Sequence, residues 1–340
     1  MIVFPTPFLS RSSVYRGVWN YMAMASDFSI IGGVVVANHD IRISGDGLNY
    51  ERRAPGGDML SFARADTGGA FQVVGILRMG SLIFAYGRIW DVADNARCGL
   101  FVSTDKGKTF NRLATAVDGI AGASGIRGFV DAVIFGSNAV FLSSTGELAY
   151  TSDGIDVSTR ANPGFTGTGQ VANTIAAGTG FLIAGGVNGQ AFSVATPGGT
   201  ATARNLQFGT SSIEKLRAGN VMVAAGSGKI STASLTDPAA WTARTDPVGG
   251  PFDYLSYNVT KWFAGGLTDK WLESANGATW ASAETKPINN NRVRSGILET
   301  GRLLLFISGG KLAVTSDFST WNTNAGSGLA ARDYQAVKLT

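Results

Sequence analysis

The stretch that decides the fold is Ser103-Thr104-Asp105-Lys106-Gly107-Lys108-Thr109-Phe110, a turn sequence in a chain of 340 residues. An Asp side chain accepts backbone N–H groups of its own turn, and glycine adopts a positive φ angle without steric cost. An aromatic ring at the end of such a turn can pack between neighbouring β-sheets. We therefore predict a structural turn anchored by Asp105.

Weaker copies of this turn recur along the chain, and a degenerate one lies near Pro197-Gly198-Gly199-Thr200-Ala201. The residues that we predict to anchor such turns are Asp46, Asp105, Asp153, Asp237, Asn276 and Asp317. The residues that end the turns stand at positions 50, 110, 157, 201, 241, 280 and 321, with a mean spacing of about 45 residues. A period of this length is typical of one four-stranded propeller blade.

Short apolar or β-branched runs separated by glycine precede each turn, as in Arg302-Leu303-Leu304-Leu305-Phe306 followed by Gly310-Lys311-Leu312-Ala313-Val314. Such runs are typical of strands joined by tight turns. We predict an all-β chain that forms one domain over residues 1–340, a single seven-bladed β-propeller of four-stranded antiparallel blades. The blades are predicted at 19–54, 71–114, 126–161, 171–205, 211–245, 251–284 and 292–325.

A propeller needs a terminal strand to close its ring, because an unpaired sheet edge is a liability. Both termini, 1–18 and 326–340, contain suitable apolar segments. Met1-Ile2-Val3-Phe4 and Asp333-Tyr334-Gln335-Ala336-Val337-Lys338-Leu339 are the two candidates, and the sequence leaves the choice between them open.

The pattern Ser-x-Asp-x-Gly-x-Thr-aromatic at residues 103–110 resembles the Asp-box, or BNR, repeat of sialidase-like propellers. The resemblance implies the fold and no chemistry, because the box is not the active site in that family. Sialidase activity would also require an arginine cluster, a tyrosine nucleophile and an aspartate acid. The family's N-terminal Arg-Ile-Pro signature is missing, and Ser13-Val14-Tyr15-Arg16-Gly17-Val18 stands in roughly that region.

Composition excludes several classes of partner and cofactor. Only 15% of residues are charged, and Arg52-Arg53 is the longest basic run, whereas nucleic-acid backbone binding needs a concentrated basic stripe. Cys98 and His39 are the only residues of their types, which excludes a disulfide within the chain and metal sites built from several thiolates or imidazoles. We expect no nucleic acid, no metal and no cofactor. We place Cys98 in the core and His39 at a turn.

No run of about 18 apolar residues occurs, so we predict no membrane span. Pro5 and Pro7 interrupt the apolar N-terminus, and Arg11 follows its apolar part instead of preceding it. We therefore predict no signal peptide.

Polar residues recur at one predicted level of the inner strands. Asp131, Asn173, Glu214 and Asp253 each precede a turn residue by five positions. This arc could bind a cation or sugar hydroxyls, or could supply two carboxylates for glycoside hydrolysis. The structural alternative, which we favour, is that each side chain hydrogen-bonds to the neighbouring blade.

Two further features could contact a partner. Arginines follow the residues that end the turns by three positions at Arg53, Arg160, Arg204 and Arg244, and by two positions at Arg112. They are basic points on the outer strands, and the alternative, which we favour, is that their stems cover the edge of each blade.

Trp90 lies in a predicted insertion, Ile89 to Arg97, and a second insertion is predicted from Pro55 to Ala70. It could stack on a sugar, anchor a protein partner or pack under its own loop.

The favoured function is that of a non-enzymatic structural or interaction protein, a virion component of a tailed bacteriophage, tail-associated or fibre-like. Its partners would be other virion proteins or the host surface, and its location the virion, after synthesis in the host cytoplasm. A carbohydrate-binding propeller is the alternative, and an enzyme would be a glycoside hydrolase. A third resemblance, to the photosystem-assembly type of seven-bladed propeller, implies an arginine patch.

Overall fold

In the part of the chain that the structure describes, the regular structure is almost entirely antiparallel β-strand, with one short 3-10 turn at Val187–Gly189. The protein is known from a computed structural model, which describes residues 20–31, 34–44, 46, 48–53, 63–64, 69–90, 96–113, 128–167, 171–252, 254–265, 271–282, 293–299, 302–316, 320–323, 329 and 334–338.

The strands follow in chain order, blade by blade. Those of the first two blades are β1 (Tyr21–Ile31), β2 (Val34–Ser44), β3 (Glu51–Arg53), β4 (Ala63–Arg64), β5 (Gly69–Met79), β6 (Leu82–Trp90), β7 (Ala96–Ser103) and β8 (Asn111–Arg112). Those of the third and fourth are β9 (Phe129–Phe135), β10 (Asn138–Ser143), β11 (Leu148–Thr151), β12 (Ser158–Arg160), β13 (Ala172–Gly178), β14 (Phe181–Gly186), β15 (Ala191–Val194) and β16 (Ala201–Ala203). The remainder are β17 (Lys215–Ala218), β18 (Met222–Gly226), β19 (Lys229–Ala233), β20 (Thr242–Arg244), β21 (Tyr254–Tyr257), β22 (Trp262–Gly265), β23 (Trp271–Ser274), β24 (Ala281–Ser282), β25 (Val293–Glu299), β26 (Arg302–Ile307), β27 (Lys311–Thr315) and β28 (Gln335–Lys338).

These strands form the predicted seven-bladed β-propeller. Each blade from the second to the sixth has four consecutive antiparallel strands, starting at β5, β9, β13, β17 and β21. The seventh blade contains β25, β26 and β27, and a bridge from Val314 to Asn322 lies where its fourth strand belongs. The fold class predicted from the repeats is therefore confirmed.

The C-terminal strand β28 closes the ring. It pairs with β1 in antiparallel register, Tyr21 opposite Lys338 and Met24 opposite Gln335, and so becomes the inner strand of the first blade. It also contacts the inner strands β25 and β5 on its two sides. Of the two candidate termini, the C-terminal one supplies this strand, and residues 1–19 lie outside the described part of the chain.

The first two blades are joined into a nine-stranded sheet by β4. Arg64 pairs with Val36 of β2 and with Gly69 of β5. The predicted insertion from Pro55 to Ala70 therefore contains a connecting strand, and its other residues, except those at the start of β5, lie outside the described ranges. Ile89 and Trp90 of the second predicted insertion continue β6, where Trp90 pairs with Ala96.

The core lies between the blades, because successive side chains of a strand point to opposite faces of its sheet. In β26, Leu303 and Leu305 pack against the sixth blade, whereas Leu304 and Phe306 pack against the first. Among the described residues, one such apolar cluster lies between each pair of neighbouring blades. Both faces of the sheets are thus buried, which is why the strands are continuous apolar runs.

The turn at Asp105 has a dense set of hydrogen bonds. Its Oδ1 accepts the backbone N–H groups of Lys108 and Thr109 at 2.8 and 2.9 Å, and the Ser103 hydroxyl at 2.8 Å. The aromatic residue that follows, Phe110, is fully buried between the first two blades. Backbone N–H groups also donate to the Oδ1 atoms of Asp46, Asp153, Asp237 and Asn276. Asp317 lies outside the described residues.

We expect Asp105→Ala to lower the free energy of unfolding by about 1–2 kcal/mol, because it leaves several turn donors without their acceptor. Asp237→Ala is the matched control, because Asp237 is exposed and accepts the N–H of Ala239, and we expect a loss of about 0.5 kcal/mol there. Denaturant unfolding of both variants measures the difference. Equal losses would contradict an anchoring role specific to the bonds at Asp105.

The single cysteine lies where the sequence predicts, and the single histidine does not. Cys98 is buried in β7, as predicted. His39 is not at a turn, as the sequence suggested, but in β2 opposite Ser26, where it is buried near the ring of Phe71. Its polar neighbours, Asn38 and Asp40, are strand residues too, because the first hairpin is longer than the repeat predicts.

Candidate functional site

The candidate site is the central channel of the ring. Its wall is formed by the inner strands β28, β5, β9, β13, β17, β21 and β25, each in contact with the inner strands beside it. The channel contains a cavity of about 560 Å³ to which all seven blades contribute residues. Cavities of this size commonly hold small molecules.

Strand pairing shows which residues of the seven inner strands lie at the same level, that is, at the same position along the channel. Phe135 and Gly178 are equivalent, because each ends its inner strand and pairs with the first residue of the next strand. Counting back four positions makes Asp131 equivalent to Thr174, and Asn173 is the extra residue of a β-bulge. The same register around the ring gives the residues level with Asp131: Gly75, Thr174, Lys215, Tyr254, Ser295 and Gln335.

The predicted equivalence of Asp131 with Asn173, Glu214 and Asp253 is therefore wrong by one position. The prediction counts five positions back from one residue in each blade and so treats Gly136 and Gly178 as equivalent. Gly136 lies in its turn, with φ +60°, whereas Gly178 is a residue of β13. One position matters because it reverses the face of the sheet to which a side chain points.

The four predicted polar residues consequently have different places. Among the described residues, Asp131 lines the channel, and neither Asn173 nor Glu214 belongs to its lining. The Asn173 amide donates to the backbone oxygen of Ile213 in the next blade at 3.1 Å. Asp253 lies outside the described residues. A ligand-binding role for this set stays a prediction.

Asp131 is the centre of a network that joins three blades. Its Oδ2 accepts the Thr174 hydroxyl at 2.8 Å and the N–H of Ile175 at 3.1 Å, both from the fourth blade. Arg217, on the inner strand of the fifth blade, donates from Nη1 to the same oxygen at 3.0 Å. The Thr174 hydroxyl accepts the N–H of Leu216 at 2.9 Å. Asp131 thus holds neighbouring inner strands in register.

The charges in this network stabilise one another. Burial is the largest influence on the Asp131 carboxyl and would raise its pKa, but the positive charges of Arg217 and Lys215 and hydrogen bonds from Arg217 and Thr174 outweigh it. The pKa of Asp131 therefore lies below its usual range, and the group is ionised at neutral pH. Burial would lower the pKa of Arg217, and the Asp131 charge outweighs that effect and raises it.

Two glycines of the inner strands leave gaps in the channel wall, and each gap is filled by the hydroxyl of a tyrosine that lines the channel. A Cβ atom at Gly75 would overlap the Tyr86 hydroxyl, and one at Gly296 would overlap the Tyr254 hydroxyl. Burial raises the pKa of Tyr254 to about 12, although a hydrogen bond with Ser256 and the Arg217 charge lower it. Burial also raises the pKa of Tyr86. Both phenols are therefore protonated at neutral pH.

The described residues that line the channel carry more positive than negative charge. Lys215, Arg217 and Arg294 are basic, and Asp131 is the one acidic residue among them. Arg217 keeps 37% of its side chain exposed although its Nη1 is bonded to Asp131. Arg294 lies at the bulge of β25 and donates from Nε to the Ser308 hydroxyl at 3.1 Å.

The arginines predicted on the outer strands lie at the ends of those strands or directly after them, partly buried. Arg204 and Arg244 donate from Nε to hydroxyls of their own blades, Ser193 at 2.6 Å and Thr232 at 2.7 Å. Arg160 donates to the backbone oxygen of Gly199 in the next blade at 2.7 Å. These contacts fit the alternative in which the stems cover the blade edge.

Arg53 and Trp90 complete the predicted partner residues. Burial lowers the pKa of Arg53, partly offset by the charge of Asp105 in the adjacent blade. Trp90 ends β6 and is partly buried, paired with Ala70 and Ala96 of the adjacent strands. It is therefore part of a β-hairpin and not of a separate loop, and a partner role for either residue stays a prediction.

Sequence reasoning missed Lys215, Arg217, Arg294 and the two channel tyrosines. A usable signal was present in Lys215-Leu216-Arg217, where two basic residues flank a buried Leu216 on an inner strand. The glycine gaps at Gly75 and Gly296 carry no such signal, because glycine is abundant throughout the chain.

Two other features, a cluster of metal-binding side chains and a membrane-spanning helix, are absent from the described part of the chain. There, three or more His, Cys, Asp or Glu side chains do not come together as a metal ion would require. No helix in the described ranges is both long and apolar enough to span a membrane.

Comparison with known proteins supports the fold alone. No family model and no curated protein sequence matches the chain. Among solved structures, YCF48 bound to D1 peptide is similar, with a TM-score of 0.56 and 11% identity over 94% of each chain. YCF48 from Cyanidioschyzon merolae has a TM-score of 0.54 and 13% identity, covering 94% of this chain and 95% of its own. The Pan2 WD40 domain of Neurospora crassa has a TM-score of 0.51 and 10% identity, covering 76% and 80%.

Proposed function

We propose that this protein is a non-enzymatic interaction protein and a virion component of a tailed bacteriophage, tail-associated or fibre-like. The observation that carries the proposal is that Asp131 forms structural bonds between blades. Its carboxylate, a candidate group for chemistry in the channel, is bonded to Thr174, Ile175 and Arg217 and joins three blades. Such bonding suits a rigid scaffold that presents its surface to partners.

Protein partners are supported by the structural neighbours. One of them, YCF48, is a propeller of similar extent that was solved with a peptide bound, and another is a WD40 domain. At 10–11% identity these are likenesses of fold, and the transfer of binding to this chain is part of the proposal.

The virion assignment is supported by composition. Only 15% of residues are charged, and the chain has one His and one Cys. The surface is therefore polar but weakly charged. We place the partner surface on the rim, at Trp90 and the outer arginines Arg53, Arg160, Arg204 and Arg244. A specific interface there would bury about 1,200–2,000 Å² in total.

The test is quantitative mass spectrometry across a density gradient of particles from the source. We expect the chain to co-migrate with capsid or tail proteins at fixed stoichiometry. Trp90→Ala should lower its copy number in the particle at least three-fold, because a buried aromatic anchor commonly carries much of the binding energy of an interface.

The matched control is Ile155→Ala, which shortens a 77% exposed apolar side chain on a different turn. It should leave the copy number unchanged. Recovery of the wild-type chain only from soluble fractions would overturn the virion assignment. An unchanged copy number in Trp90→Ala would remove that residue from the interface.

A carbohydrate-binding propeller is the second candidate, favoured by the aromatic residues Tyr86, Tyr254 and Tyr257 in the channel lining. Saturable binding of a neutral glycan, or release of reducing sugar, would favour it over the scaffold.

A further inference from the structure

The channel has the features of an anion site, which go beyond the proposed scaffold function. Its cavity of about 560 Å³ is lined by residues of every blade. Three basic residues and one acidic residue line it in the described part of the chain. Among these residues the basic side chains therefore outnumber the acidic one.

The Arg217 side chain joins two blades that are not neighbours in the ring. It belongs to the fifth blade and bonds to Asp131 of the third. Its charge also acts on Tyr86 of the second blade and Tyr254 of the sixth. Arg217 therefore lines the cavity inside the ring and is bonded across blades to Asp131.

The orientation of Arg217 is set before any ligand arrives. Its Nη1 donates to Asp131 at 3.0 Å and to the backbone oxygen of Leu216 at 2.7 Å, which fixes the plane of the group. The side chain nonetheless keeps 37% of its surface exposed. A planar guanidinium held in this way suits the paired oxygens of a carboxylate or phosphate.

The tyrosine hydroxyls add neutral donors beside the charges. Gly75 and Gly296 leave the space that Tyr86 and Tyr254 occupy at the channel wall. Lys215 lies level with Asp131, and its positive charge helps to lower the pKa of the Asp131 carboxyl. Phenolic O–H groups and cations that face one cavity are complementary to an oxyanion and not to a cation.

We propose that the channel binds a small molecule through a phosphate or carboxylate group held by Arg217, Lys215 and the Tyr254 hydroxyl. Arg294, on the seventh blade, contributes positive charge to the same cavity. The remainder of the molecule would occupy the channel beside the tyrosine rings.

The test is titration calorimetry of the full chain with inorganic phosphate and with succinate, each against sodium chloride at equal ionic strength. We expect saturable binding of at least one oxyanion. Tighter binding of phosphate would identify a phosphoryl ligand, and tighter binding of succinate a carboxylate ligand. The absence of saturable binding of both below about 10 mM would overturn the proposal.

Two variants locate the site. Lys215→Met should raise the dissociation constant at least ten-fold, and Tyr254→Phe, which keeps the ring packing and so protects the fold, at least three-fold. The matched controls are Lys311→Met, a charge removed at an exposed position of β27, and Tyr150→Phe, a hydroxyl removed outside the channel lining. Equal losses in variants and controls would overturn the site. The particle gradient does not depend on this titration, so either proposal can fail alone.

Discussion

Deletion of residues 334–340 is expected to lower the free energy of unfolding by more than about 5 kcal/mol, close to the whole stability of many domains. The deletion removes β28, the inner strand of the first blade, and exposes the edge of β1. It also removes Tyr334, which is 1% exposed and packs between the first and seventh blades. Loss of a buried aromatic side chain alone commonly costs about 3–5 kcal/mol.

Guanidinium unfolding followed by tryptophan fluorescence measures this loss. A synthetic peptide of residues 334–340 should restore stability in a saturable manner, because it can refill the vacant strand position. The same peptide with Tyr334→Ala is the control and should not. An unchanged unfolding midpoint in the truncated chain would show that β28 does not close the ring.

The variant Tyr334→Phe shows how much of the lost stability comes from the Tyr334 hydroxyl and how much from the strand. The Tyr334 hydroxyl donates to the buried carboxylate of Asp40, which also forms a 3.0 Å ion pair with Arg42. Tyr334→Phe removes the bond and keeps the ring, so we expect a loss of about 1–2 kcal/mol. The large effect of truncation should therefore come from the strand and its packing.

Asp131→Asn is expected to lower the free energy of unfolding by about 2–3 kcal/mol at pH 7. Removing one partner of a buried ion pair leaves the other charge uncompensated, which commonly costs about 3–5 kcal/mol. We place the value lower because the Arg217 side chain is 37% exposed, and solvent screens the charge of an exposed group. The control is Glu273→Gln, which breaks the partly exposed Lys261–Glu273 pair and should cost under about 1 kcal/mol.

The effect of Asp131→Asn should depend on pH. The pKa of Asp131 is lower in the folded protein than its unfolded value of about 3.9. The carboxylate therefore stabilises the fold above that pH, and its contribution is lost as the pH falls through the folded pKa. Denaturant unfolding from pH 7 to pH 2 should show the wild type and the variant converging at low pH. A constant difference would contradict an ionic role for Asp131.

The sequence by itself determined the number of blades and the chemistry of their turns. These features are local, because Asp105 bonds to residues at most four positions away and strand faces alternate with a period of two. A seven-fold repetition of a local signal then leaves one closed architecture.

Only the tertiary structure decided which residues meet in the channel. Asp131 and Arg217 are 86 residues apart, and Tyr334 and Asp40 are 294 apart. Their contacts depend on blade order and on the register of every inner strand. A count that starts one residue too late, at Gly136 of the turn instead of Phe135 of the strand, assigns a side chain to the wrong face of the sheet. For that reason the repeat predicted the ring, while the charges that line its channel became visible only after the ring was closed.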